Sequence, residues 1–310
     1  MDPVSQGFEE LIQSFIAWAQ GQEDIRLAFV LGSRARTDHP ADEWSDLDLV
    51  LVARDVRPYL ERADWIDNMG KPWLTFLETN NGTVERRVLF DGGLDVDFAM
   101  IPLEMLHSML QQGVDAGTAD IFRRGVRVLL DKDNLLPDPS KLASAWNSPD
   151  PPSEAEFLQV VNDFWYHAVW TAKHLRRGEL WWGKSCCDDK LKSLLRQVLE
   201  WHAHATLGPG RDTWLRGRFL EEWADPGVVA RLSGAFAHYD PVDVWQALAV
   251  TMDLFRKVSL ETAGLLGYSY PAGGAEYAAE LVSRLSQGWS LTDNRGQPPI
   301  IPDRGENELP

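Results

Sequence analysis

The run LGSRARTDHPADEWSDLDLV, which opens at Leu31, constrains this chain more than any other stretch. An apolar segment, IRLAFVLG, leads into Gly32 and Ser33, a polar loop runs on to Ser45, and a second apolar segment opens with Asp46 and Asp48. Side chains two apart on a strand share a face. Asp46, Asp48, Val50 and Val52 therefore point one way, and Leu47, Leu49 and Leu51 the other. Two carboxylates at the leading end of a strand, one loop from a Gly-Ser corner with exposed backbone N–H groups, can hold a divalent cation beside a phosphate. Asp-x-Asp pairs also serve as helix caps, turn formers or calcium ligands, so the pair alone leaves the chemistry open.

A later segment narrows it. In LDVDFAMIP, Leu94, Val96, Phe98 and Met100 share one face while Asp95, Asp97 and Ala99 share the other. Three carboxylates on adjacent strands suit magnesium, which prefers oxygen ligands and keeps room for water and phosphate oxygens. Metal ions held there can stabilise the attacking and leaving oxygens of an in-line displacement at phosphorus. The ordered set of Gly-Ser corner, loop, Asp-x-Asp and a third strand acid is what transfer of a nucleotidyl group needs, with added cations to offset the triphosphate.

The surrounding pattern predicts an α+β chain. Phe8, Leu11, Ile12, Phe15, Ile16 and Ala19 recur at helical spacing over residues 7–20. A helix over 58–68, strands in PWLTFLE and VERRVLF joined by the turn Asn80-Asn81-Gly82, helices after Pro102 and an edge strand over 126–134 complete a mixed sheet with flanking helices. PDPSKLASAWNSPDPPS, with five prolines, reads as a linker. Beyond it the texture becomes helical. Ser153 with Glu156 forms a capping-box pattern ahead of Phe157, Val160, Val161, Phe164, Ala168, Ala172 and Leu175, and further helices are expected over 186–205, 242–266 and 274–286. The expected domains are 1–150, a mixed β-sheet domain, and 151–288, a helical bundle; 289–310 reads as a disordered tail.

Composition excludes several function classes. The 47 acidic against 30 basic side chains give a formal charge of -17, which opposes a polyanion and attracts a polycation. Nucleic acid is therefore not an expected partner. No window is apolar and long enough to span a membrane, and the acidic amphipathic start is unlike a signal peptide, so a cytoplasmic location is expected. Cys186 and Cys187 are adjacent, a spacing ill suited to an ordinary disulfide.

GSRARTDHPADEWSDLDLV resembles the signature of the polymerase-beta-like nucleotidyltransferases. SDLDLVLVARD, DGGLDVDFAMIPLE, LLDKDN, EFLQVVNDFWYHAVWTAKHLRRGEL, the lysine of WWGK, and VLEWH are similar to segments of the aminoglycoside 6-adenylyltransferase (streptomycin adenylyltransferase) family, in order from about residue 25 to residue 270. The resemblance implies an antibiotic-resistance enzyme that moves AMP from Mg-ATP to a hydroxyl of a cationic aminoglycoside, streptomycin at its 6-position above all. It implies Gly32 and Ser33 as the triphosphate corner, Asp46 and Asp48 as Mg2+ ligands, and Asp97 as a further ligand, the base, or both. Lys173 and Lys184 fall on basic positions that serve the triphosphate, with solvated surface lysines as the alternative, and Arg34 can assist or lie on the surface. The acceptor, rich in guanidinium and ammonium groups, favours carboxylates and aromatic rings. Asp163, Trp165, His167, Trp170, Trp182 and Asp188 are its candidate contacts, Asp188 first among the acids, although tryptophans more often pack cores and His167 suits a structural hydrogen bond. Alternatives are the same transfer to another small-molecule or protein hydroxyl, or a non-catalytic nucleotide-binding module. The oligomeric state is not legible.

Overall fold

The computed structural model describes residues 2–287 apart from 37–38, 81–82, 137 and 144–149. It separates into two compact units, Met1–Asn147 and Ser148–Pro310. The mixed sheet in the first and the helices of the second give the α+β class that the periodicity predicts.

In the first unit, helix α1 (Pro3–Gln20) begins where the Asp2 side chain accepts from Ser5 N and Pro3 takes a position whose N–H would have no helical partner. Six strands follow: β1 (Ile25–Leu31), β2 (Leu47–Ala53), β3 (Pro72–Asn80), β4 (Thr83–Phe90), β5 (Leu94–Pro102) and β6 (Arg127–Asp131). Their order across the sheet is β3-β4-β5-β2-β1-β6. Only β2 and β5 pair in parallel; the other neighbours are antiparallel. Short helices α2 (Arg57–Glu61), α3 (Leu103–Gln112), α4 (Ala116–Arg124) and α5 (Ser140–Ala143) complete the unit.

The alternation read from the sequence sorts the sheet into two faces. Leu47, Leu49, Leu51, Val96, Phe98 and Met100 join Phe8, Leu11, Ile12 and Phe15 of α1 in one buried cluster. Val50 and Val52 join Leu27, Phe29, Leu106 of α3, Phe122 of α4 and Leu142 of α5 in another. Each large side chain so buried contributes roughly 1.5–3 kcal/mol, and a one-residue slip of β2 would forfeit both sets together. The acids of β2 and β5 lie on the second face, at the strands' leading ends.

Two expectations change in detail. The helix over 58–68 divides into α2 and a 3-10 turn, Asp64–Asn68, because the chain turns extended at Arg62. There the Trp65 indole N–H donates to the Tyr59 and Arg62 carbonyls, satisfying acceptors that a continuous helix would have used. The proline-rich linker contributes structure of its own, since α5 carries Leu142 into the core. The turn at Asn81 and Gly82 and the tail over 289–310 lie outside the described residues, while Asn80 does pair with Thr83.

The second unit is built from α6 (Glu154–Arg176), α7 (Leu180–Ser185), α8 (Leu191–Leu207), α9 (Leu220–Trp223), α10 (Pro226–Val229), α11 (Pro241–Leu266) and α12 (Ala272–Gln287). Ser153 and Glu156 form the reciprocal capping box that their spacing predicts. α11 packs on α8, and α12 on α6. The helix expected over 186–205 is interrupted at its start by one wide π-type turn, Cys186–Lys190, which bulges the chain between α7 and α8. Among the described residues no helix is long and apolar enough to cross a membrane.

Candidate active site

The candidate phosphate corner is built on Gly32. It follows the last residue of β1 with φ +66, a left-handed backbone that glycine adopts without strain. A Cβ there would stand 2.0 Å from Asp48 Oδ2, so the absence of a side chain is what lets the carboxylate approach the corner. The next residue, Ser33, has its hydroxyl oxygen buried with no hydrogen-bond partner among the described residues. A buried hydroxyl left this way has an unmet hydrogen-bonding capacity, which a phosphate oxygen would satisfy.

Arg34 turns elsewhere. Its Nε donates to the Asp46 carbonyl at 3.0 Å and its Nη2 to the Ser45 carbonyl at 2.6 Å, with the guanidinium 3.6 Å above the Phe8 ring. Burial lowers its pKa from the usual arginine value. In this arrangement Arg34 fastens the end of the loop to α1 and so fixes where the Asp-x-Asp strand begins.

Parallel pairing of β2 with β5 sets Asp48 opposite Asp97 in register. Ligand oxygens of Asp46, Asp48 and Asp97 all lie within 4.8 Å of one another. Crowding and burial act on the acids in the expected direction. Desolvation, then the charges of Asp46 and Asp97, push Asp48 up to about 7. Asp97 rises to about 6, chiefly by burial, against the lowering effect of Arg87. Anionic oxygens gathered at this cost gain most from a cation placed among them, and an all-oxygen donor set fits Mg2+.

Arg87 and Glu85 escaped the sequence reading. Arg87 stands opposite Asp97 across β4 and β5, with Nη1 2.8 Å from Asp97 Oδ2 and Nη2 3.3 Å from Glu85 Oε2, and it also pairs with Glu78. The alternation in VERRV puts Glu85 and Arg87 on one face, but only the sheet order shows that this face is the acidic one.

The sequence profile of the streptomycin adenylyltransferases matches residues 6–285. The chain belongs to that family. The aminoglycoside 6-adenylyltransferase of Campylobacter jejuni is 22% identical to it over 271 residues, covering 85% of this chain and 90% of the relative. The enzyme of the same name from Bacillus subtilis is 23% identical over 274 residues, covering 85% and 92%. A crystal structure of an aminoglycoside 6-adenyltransferase from Bacillus subtilis aligns over 90% of this chain and 97% of its own, with 19% identity and a TM-score of 0.43. Like other members of the streptomycin adenylyltransferase family, the protein is a nucleotidyltransferase.

The remaining candidates of this adenylyltransferase lie in the second unit, in different settings. Lys173 is exposed on α6. Lys184 pairs with Asp188 one turn on and donates to the Ala237 carbonyl at 2.7 Å. The other oxygen of Asp188 is buried without a partner among the described residues. Asp163 Oδ2 accepts from Lys190 Nζ at 2.7 Å, and its Oδ1 lies 2.7 Å from His167 Nδ1, so His167 and Lys190 hold this acid in place. Trp170 and the exposed Trp182 approach each other with ring centroids 5.7 Å apart. Trp165 is different: it packs in the bundle core edge-on to Phe164, and its indole N–H donates to Tyr270 Oη at 3.0 Å. A lysine that the sequence reading passed over, Lys192, follows the π-type turn and donates to the Cys187 carbonyl at 2.9 Å, its pKa lowered by burial.

Proposed function

We propose that this protein transfers AMP from Mg-ATP to a hydroxyl of an aminoglycoside, with streptomycin at its 6-position as the acceptor. The observation that carries the reading is the convergence of Asp46, Asp48 and Asp97 beside the Gly32-Ser33 corner. Two relatives that cover at least 90% of their own length carry the name aminoglycoside 6-adenylyltransferase, which supports the acceptor class. Asp46, Asp48 and Asp97 would hold Mg2+, which supplies positive charge to the triphosphate and lowers the pKa of the attacking hydroxyl.

The chain's own residues account for the rest. Ser33 Oγ and the backbone of the corner bind phosphate oxygens. The acceptor oxygen forms a bond to the α-phosphorus, the bond from that phosphorus to the bridging oxygen breaks, and pyrophosphate leaves. The hydroxyl proton passes to Asp97, whose carboxylate stands opposite Asp48 and beside Arg87. Lys173 and Lys184 serve the triphosphate. Asp163, Trp170, Trp182 and Asp188, one of whose oxygens has no partner among the described residues, serve the cationic acceptor, with His167 orienting Asp163. Trp165 supports that surface from the core.

Incubation with ATP, magnesium and a panel of aminoglycosides tests the reading by product mass. A gain of one AMP on streptomycin is expected. AMP found on protein instead, or on no member of the panel, would overturn it.

A further inference from the structure

Strand β3 forms one edge of the sheet, and four of its large apolar side chains are exposed: Trp73 at 58%, Leu74 at 63%, Phe76 at 56% and Leu77 at 46%. An apolar edge strand that the described residues leave uncovered calls for a partner. Strand register sorts these residues by face. Phe76 opposes Arg87, Arg87 opposes Asp97, and Asp97 opposes Asp48, so one row runs from the sheet edge to the acids. In the same sense Leu74 opposes Leu89, and Glu78 opposes Glu85. Leu77 opposes the buried Arg86 and belongs to the other face. Trp73 is already engaged, its indole N–H donating to Asp91 Oδ1 at 2.9 Å and Lys71 Nζ lying 3.6 Å over the ring.

We propose that Phe76 and Leu74, flanked by Glu78 and Glu85, form an acceptor subsite. A ring face of the aminoglycoside would lie on Phe76 and its ammonium or guanidinium groups would meet the glutamates, while the reacting hydroxyl reaches the aspartates. This rests on the proposed reaction and adds to it, because the acceptor contacts named so far all belong to the helical unit.

Distance supports the assignment. Neighbouring strands are about 4.8 Å apart, which puts the Phe76 backbone about 10 Å from that of Asp97, two strands away. A molecule of two or three linked rings spans that interval. Charge supports it as well. Arg87 touches three acids, Asp97, Glu78 and Glu85, and Asp46 and Asp48 stand beside Asp97, so carboxylates predominate here among the described residues and oppose a second phosphate-bearing ligand. Flat apolar area beside carboxylates suits a cation carried on a ring scaffold. A second copy of the chain fits less well, since pairing β3 with itself about Phe76 would set Leu74 against Glu78.

The test is calorimetric titration of streptomycin into the full-length protein without ATP, for wild type, Phe76→Ala, Phe76→Trp, Glu78→Gln and Glu85→Gln, with thermal melts to show that each variant folds. Phe76→Ala should weaken Kd by about 5- to 30-fold and each Glu→Gln by about 3- to 10-fold, while Phe76→Trp stays within about 2-fold of wild type. In turnover the acceptor KM should rise while the KM for ATP holds. An unchanged Kd in Phe76→Ala and both glutamine variants would overturn the subsite, as would a wild type that does not bind streptomycin. A wild-type dimer that Phe76→Ala makes monomeric at unchanged Kd would overturn it in favour of a second copy. Weakened binding in the variants with no AMP transfer by wild type would defeat the proposed reaction and leave the cation subsite standing.

Discussion

At the scale of single residues, the site depends on how closely Gly32 and Asp48 approach. Gly32→Ala would place a methyl group 2.0 Å from Asp48 Oδ2 at a φ of +66. The carboxylate is the end of a movable side chain, so it should swing aside. We expect a stability loss of only about 1–2 kcal/mol, from the left-handed backbone, but a fall in kcat of at least about 100-fold, read by urea denaturation and steady-state rates on one preparation. Asp48 itself, raised to about 7, carries a pH signature. Below about pH 4 it is protonated in both folded and unfolded chains; between there and pH 7 the folded state alone keeps the proton. Stability of the metal-free protein should therefore fall as pH rises through that window, on the order of 4 kcal/mol for Asp48 alone. Asp97, raised to about 6, acts in the same direction over a narrower range. Differential scanning calorimetry should show Asp48→Asn melting above wild type at pH 8 without metal. It should also show added Mg2+ raising the wild-type melting temperature more at pH 8 than at pH 5. A variant that melts below wild type at pH 8 would refute this account of the acids.

At the scale of elements, much was legible and the misses share a cause. Alternation in LDLVLVA and LDVDFAMIP carried the strands, their faces and the acids Asp48 and Asp97, because period-2 patterning is local information, whereas Asp46, expected on the strand, stands just before β2. Ser153 with Glu156 was likewise readable as the start of α6. Its capping box predicts that Ser153→Ala will lower stability by about 1 kcal/mol, seen as a reduced urea midpoint at unchanged slope; no change would mean that the cap contributes nothing. What local pattern does not encode is which strands become neighbours. Arg87 and Glu85 looked like ordinary charges in VERRV, and they acquire a role only because β4 lies beside β5 and β5 pairs in parallel with β2. The π-type turn at Cys186–Lys190 was also unreadable, since CCDDKLKSLL continues a helical pattern without glycine or proline to mark the interruption. Trp165 failed to stand apart from Trp170 and Trp182 for a similar reason: an aromatic residue on an amphipathic helix serves core or surface according to what packs against it.

At the scale of the whole molecule, each unit has its own buried core, and the acids of the chain outnumber its bases by enough to give a charge of -17. Such a field should speed encounter with a polycation and oppose encounter with ATP unless magnesium accompanies it. Raising ionic strength from about 0.05 to 0.3 M should therefore increase the acceptor KM several-fold while moving the KM for Mg-ATP much less, because screening acts on the long-range attraction. Equal salt response of both substrates would remove charge steering from the account. The central claim is that Asp46, Asp48 and Asp97 form a nucleotidyl-transfer centre acting on an aminoglycoside. It is tested most directly by pyrophosphate release from ATP and magnesium with streptomycin, comparing wild type with Asp48→Asn and Asp97→Asn. The account predicts streptomycin-dependent release by wild type and a loss of at least about 1000-fold in both folded variants. Undiminished release by either variant would contradict it.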